Sequence, residues 1–170
     1  MLSIIKSNYI IQAVGLIGFI FFIASIYSKK KKKVLLYQMV ANFLYGIQYL
    51  LLNVITTGIL NLLAVLRCFV YSKYGNRKIP ISILIIFMLI IVILSLITLN
   101  GWLSLIPMII GLIYTYATWQ NNQKILTKCF LTCGTVWFFY NLYVGAYTLV
   151  LGNIVEIISS IIVLKSKWRT

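Results

Sequence analysis

Residues 9–52 read YIIQAVGLIGFIFFIASIYSKKKKKVLLYQMVANFLYGIQYLLL: twenty mostly apolar positions, five lysines, then nineteen more apolar-rich positions. A helix rises 1.5 Å per residue, so about 20 apolar residues cross the roughly 30 Å of a bilayer core. Each half of the stretch has that length, and the lysines between them cannot enter hydrocarbon. A cleaved leader has a shorter apolar segment and a stronger basic start than Lys6 alone provides. The stretch therefore reads as two transmembrane helices joined by a basic turn.

The same ruler along the chain predicts seven helices at about 9–28, 34–52, 55–72, 79–97, 101–119, 125–144 and 147–164. Tight turns fall at Asn53-Val54, Asn100-Gly101 and Gly145-Ala146. Composition agrees: of 170 residues 62% are hydrophobic and 9% charged, against about half and about a quarter in soluble domains. The runs are continuous and not alternating, so helices are expected and not a barrel. The fold class is an all-α membrane protein in a single transmembrane domain, residues 1–170.

Fifteen basic residues face one acidic residue. In a soluble protein that would suggest nucleic acid. Here the charges lie between apolar runs: 29–33, then Lys73, Arg77 and Lys78, then Lys124 and Lys128, then Lys165, Lys167 and Arg169. Seven crossings put all four groups on one side, which the positive-inside rule makes the cytoplasm. The amino end is then outside and the carboxyl end inside, and no nucleic-acid partner is expected. Membrane lipids are the expected surroundings, with a homo-oligomer left open. The 29–33 run could bind anionic lipid, although such runs more often only fix topology. Trp102 near the outer end, and Trp119 and Trp168 near the inner end, suit interfacial belts.

A shift of 92 residues brings Thr56 onto Thr148, Asn61 onto Asn153, Lys73 onto Lys165, Tyr27 onto Trp119 and Gly15 onto Pro107. The chain then divides into repeat one (about 9–72), a linker helix (about 79–97) and repeat two (about 101–164). The single linker helix gives both repeats the same orientation, a parallel 3+1+3 plan. Gly15 and Pro107 are candidate hinges, because helices bend at such residues.

Polar side chains in hydrocarbon are costly and usually face a bundle interior. Asn61 and Asn153 are candidate substrate-binding residues, since two facing amides can replace the water around a small polar solute. The same amides can serve only as glue between helices. Glu156, the sole acid, lies one turn from Asn153 on the same face. Arg67 lies six residues beyond Asn61, about 9 Å deeper. Arg67 and Glu156 are candidates for a gate or an ion pair, with a purely structural pair the simpler reading. Gln38, Asn42 and Tyr45 share one face of the second helix, and Trp137 coincides with Tyr45 under the shift; all four are candidate cavity lining. Tyr140 and Asn141 on the sixth helix are similarly placed, to line a cavity or to bridge helices.

Cys129 and Cys133 share a helix face, but the chain has no His and only one carboxylate, so no metal and no cofactor are expected. Phosphate loops and paired carboxylates are missing too, and no enzyme activity is expected.

Gly15, Gly18, the lysine turn, Gln38, Leu51-Leu52-Asn53, Thr57-Gly58-Ile59-Leu60-Asn61 and Arg67 together resemble the bacterial YgjV inner-membrane family. Near the end of helix two, where relatives carry a His, this chain has Gln48. That family is similar to SWEET proteins, PQ-loop proteins and nicotinamide-riboside transporters. The likeness implies a SWEET-like 3+1+3 bundle in the bacterial inner membrane. It also implies substrate contact by the asparagine on the third helix of each repeat, here Asn61 and Asn153. SWEET helices bend at a proline in the first helix of each repeat, where this chain has Pro107 in one half and Gly15 in the other. The expected function is transport of a small polar solute by alternating access between two three-helix units. The alternative is a non-transporting membrane protein, a regulatory or assembly subunit.

Overall fold

The computed structural model describes residues 2–28, 30–75, 77–120 and 122–166. Among them are seven α-helices: α1 (Leu2–Ile26), α2 (Lys31–Leu51), α3 (Ile55–Tyr74), α4 (Ile81–Ile97), α5 (Leu105–Trp119), α6 (Gln123–Val144) and α7 (Tyr147–Ser166). Every apolar run expected to be helical is a helix. Lys29 and the tail containing Lys167, Trp168 and Arg169 lie outside the described residues.

The boundaries move for local reasons. Lysine is a good helix former, so α2 starts within the basic run. Pro80 precedes α4 and delays its start to Ile81. A single 3-10 turn, Trp102–Ser104, precedes α5, with the Ser104 hydroxyl donating to the Asn100 carbonyl at 2.9 Å. The Asn122 side chain caps α6 by accepting from the amides of Lys124 (2.9 Å) and Ile125 (3.4 Å). Asn53 turns the chain between α2 and α3 at φ 61°, a conformation that asparagine tolerates better than bulkier residues.

Five of the helical segments are long and apolar enough to cross a membrane. Helix α4 is apolar but has 17 residues, and α6 is not among the five. Ile85, Leu89, Ile93 and Leu96 form an exposed stripe along α4, at the spacing of one helix face. The most deeply buried side chains, by contrast, include Gln48, Thr57, Thr115 and Asn141. An apolar outside and a polar inside is the arrangement a lipid solvent selects.

Helices pack in a closed order: α1 on α2, α2 on α3, α3 on α5, α5 on α6, α6 on α7, and α7 back on α1. Helix α4 lies outside this ring, against α3 and α5. Gly46 and Gly58 let α2 and α3 approach closely, since a β-carbon on Gly58 would stand 3.2 Å from the Gly46 carbonyl oxygen. The ring has two unlike ends. One carries the basic connections before α2, α4 and α6; the other carries the short turns before α3, α5 and α7.

Candidate functional site

A cavity of about 130 Å³ occupies the middle of the ring, room for several waters or a small solute. Asn61, Asn153, Arg67 and Glu156 all line it, and so do Gln38, Asn42, Tyr45, Trp137 and Pro107. Gly15 does not; it packs against Gln48 and Thr148 near the short-turn end.

The two asparagines differ in their bonds. Asn61 Nδ2 donates to the Thr57 carbonyl of its own helix at 2.9 Å, and the residue lines the cavity. Asn153 Oδ1 accepts from Asn141 Nδ2 at 2.8 Å. The two are not bonded to each other. Asn42 makes one weak contact, Nδ2 to Cys68 Sγ at 3.8 Å.

Arg67 and Glu156 form no salt bridge among the described residues. Arg67 Nη1 instead donates to Thr115 Oγ1 at 2.7 Å, and Glu156 Oε1 accepts from Tyr114 Oη at 2.6 Å. The expected ion pair is therefore replaced by two bonds to consecutive residues of α5. Periodicity on α3 and α7 could not reveal these, because both partners sit on a third helix.

At the short-turn end the cavity stops against a polar layer. Tyr49 Oη donates to Asn141 Oδ1 at 2.5 Å, and Thr57 Oγ1 and Tyr140 Oη share a hydrogen bond of 2.5 Å. Gln48 Nε2 donates to Thr148 Oγ1 at 2.9 Å. Gln12 joins them, with Nε2 donating to the Gly145 carbonyl at 3.0 Å and Oε1 accepting from the Thr148 amide at 3.2 Å. Trp137 stacks on Tyr49 at 6.2 Å and meets Tyr140 edge-on at 5.2 Å. Most of these contacts lie within about a turn of helix ends, and most tie α1–α3 to α5–α7. From this layer the cavity reaches toward the basic end as far as Gln38 and Arg67. Sequence reasoning gave Gln12, Tyr49 and Thr57 no place in the site, although Thr57 belongs to the stretch that carries the family resemblance. The one available signal was that Tyr49 and Asn141 coincide under the 92-residue shift.

Both cysteines of α6 are free, as is Cys68, and no group of three or more metal-ligating side chains occurs among the described residues.

An apolar exterior around a polar, cavity-bearing helical interior defines a multi-pass membrane protein. Residues 9–170 match the family described as bacterial inner membrane protein, Imp-YgjV, and the chain belongs to that family. No curated protein and no solved structure matches it. The wider likeness to SWEET and PQ-loop proteins is thus not carried by these comparisons.

Proposed function

We propose that the protein moves a small polar solute across the inner membrane by alternating access between α1–α3 and α5–α7. In this reading all seven helices cross and the basic end faces the cytoplasm. The observation that carries it is the make-up of the cavity wall. Six pairs related by the 92-residue shift line it: Phe22 and Tyr114, Tyr45 and Trp137, Tyr49 and Asn141, Leu60 and Gly152, Asn61 and Asn153, Ala64 and Glu156. A parallel repeat about an axis through the cavity would place pairs in this way. The ring order supports the same axis, because exchanging α1–α3 with α5–α7 leaves every neighbour relation unchanged. Tyr49 bonds to its own counterpart, Asn141, as residues close to a twofold axis do.

The polar layer then acts as a closed outer gate. Its hydrogen bonds offer a buried alternative to water, and each is worth about a kcal/mol net, so opening it is affordable on a transport timescale. Asn61 offers its side-chain amide to solute in the cavity, while Asn153 also braces the gate through Asn141.

Cysteine labelling tests this without knowledge of the solute. With Cys68, Cys129 and Cys133 replaced by alanine, Asn61→Cys is expected to react with a membrane-impermeant thiol reagent from the cytoplasmic face and slowly from outside. Adding Tyr49→Phe and Thr57→Val, which unlatch the gate, is expected to raise outside labelling about tenfold, the equivalent of 1.4 kcal/mol. Labelling from neither side, or outside labelling that ignores the gate variants, would overturn the transport reading in favour of a non-transporting subunit.

A further inference from the structure

We infer that the solute is a small zwitterion, bound with its carboxylate at Arg67 and its ammonium at Glu156; this rests on reading the cavity as the transport site. The chain has a single acidic residue, and it lies in the cavity wall. One buried guanidinium lies in the same wall. Arg67 is 7% exposed and Glu156 3% exposed.

A buried charge without a counter-charge is costly, and burial is normally made tolerable by pairing. These two opposite charges share one cavity and do not pair. Each is held by a hydroxyl of α5 instead, Thr115 for Arg67 and Tyr114 for Glu156. Consecutive helical residues point about 100° apart, so α5 holds the two charges at separate places in the wall. Each keeps unused bonding capacity. Arg67 Nε has no hydrogen-bond partner, while Nη1 donates to Thr115. Glu156 is bonded by Tyr114 and Asn153, and the two oxygens of a carboxylate offer about four acceptor sites, so it has capacity left.

A solute with one charge would satisfy one group and leave the other stranded. A solute with both charges satisfies both, keeps the cavity neutral, and carries no net charge through the membrane. The rest of the wall suits such a molecule. Tyr45 and Trp137 offer ring faces that attract an ammonium, and Gln38 and Asn42 offer amide donors to a carboxylate. The volume limits the solute to a compact amino-acid-like molecule.

The test uses the purified full chain in detergent and follows its thermal unfolding midpoint. Probes are glycine, β-alanine and γ-aminobutyrate, which step the charge separation, against acetate, ethylammonium and glycerol. At least one zwitterion is expected to raise the midpoint by mass action, while the singly charged and neutral probes do not. Charge-assisted hydrogen bonds contribute enough that Arg67→Gln and Glu156→Gln should each weaken the response about 10–100-fold. Should either variant fail to fold, Arg67→Lys and Glu156→Asp keep the charges and are expected to retain a reduced response. The inference is overturned if no zwitterion stabilises the protein. It is equally overturned if acetate, ethylammonium or glycerol does so as well, or if the response survives both glutamine variants. The transport reading fails separately, through the labelling of Asn61→Cys: zwitterion binding without two-sided labelling leaves a binding protein that does not transport.

Discussion

Asn141→Leu is expected to destabilise the protein by about 2–6 kcal/mol, at roughly 1–3 kcal/mol for each of two buried groups left without partners. Asn141 accepts from Tyr49 and donates to Asn153, so leucine strands a tyrosine hydroxyl and an amide oxygen at once. All three side chains are buried. Replacing the partners as well, in Tyr49→Phe, Asn141→Leu, Asn153→Leu, is expected to recover much of the loss, because an apolar set leaves nothing unsatisfied. Unfolding in mixed micelles measures both. Hydrogen bonds in membrane proteins average only ~0.6 kcal/mol in double-mutant cycles, since unfolded helices find other partners in the membrane. A loss of that small size for Asn141→Leu would show that the layer's hydrogen bonds are readily replaced and that they do not hold it shut.

The second large effect belongs to Gly15. A β-carbon there would stand 2.0 Å from Gln48 Oε1 and 2.3 Å from Thr148 Oγ1. No side chain fits unless Gln48 and Thr148 give up their present rotamers or α1 moves away from α2 and α7. Overpacking a close-packed site costs about 1–3 kcal/mol and sometimes more. Gly15→Leu also forces apart the Gln12, Gln48 and Thr148 cluster, so we expect no monodisperse folded protein from it. Gly15→Ala with Gln48→Ala and Thr148→Ala, which removes both obstructing side-chain ends, is expected to fold. Gly111→Ala is the control, because its β-carbon would meet Ile91 at an ordinary 3.6 Å. A Gly15→Leu protein with an unchanged melting midpoint would show that the helices are less closely packed there. Gly15 was a candidate hinge from its coincidence with Pro107, whereas its surroundings give it a packing role of its own.

Helices were legible because lipid imposes one length and one composition, and charge, Asn or Gly marks each stop. Asn61, Asn153, Arg67 and Glu156 were legible as interior residues because a polar group in an apolar run has few other places to be. Their partners were not. Whether Glu156 meets Arg67 or Tyr114 depends on how α3, α5 and α7 are rotated and how deep each sits, and a run of apolar residues encodes neither. The polar layer was hidden for a further reason. Tyr49 and Thr57 sit near helix ends, where polar residues usually signify only the approach of water. Tyr49 and Asn141 differ in type, so their equivalence carried no visible identity, although a pair facing each other across a seam needs complementary chemistry and not likeness.

The seam between α1 and α7 also sets an order of events in the making of the protein. Gln12 bonds to Gly145 and Thr148, residues 133 and 136 positions later. Helix α1 enters the membrane before α2–α7, yet those partners leave the ribosome only when α7 is being made. Throughout elongation the Gln12 amide must be satisfied elsewhere, by α2 through Gln48 or by the insertion machinery, since bare hydrocarbon offers it nothing. A nascent chain stalled before Gly145 would carry an open ring with its polar lining turned to lipid. Quality control therefore has a simple mark to read, and the arrival of α7 erases it.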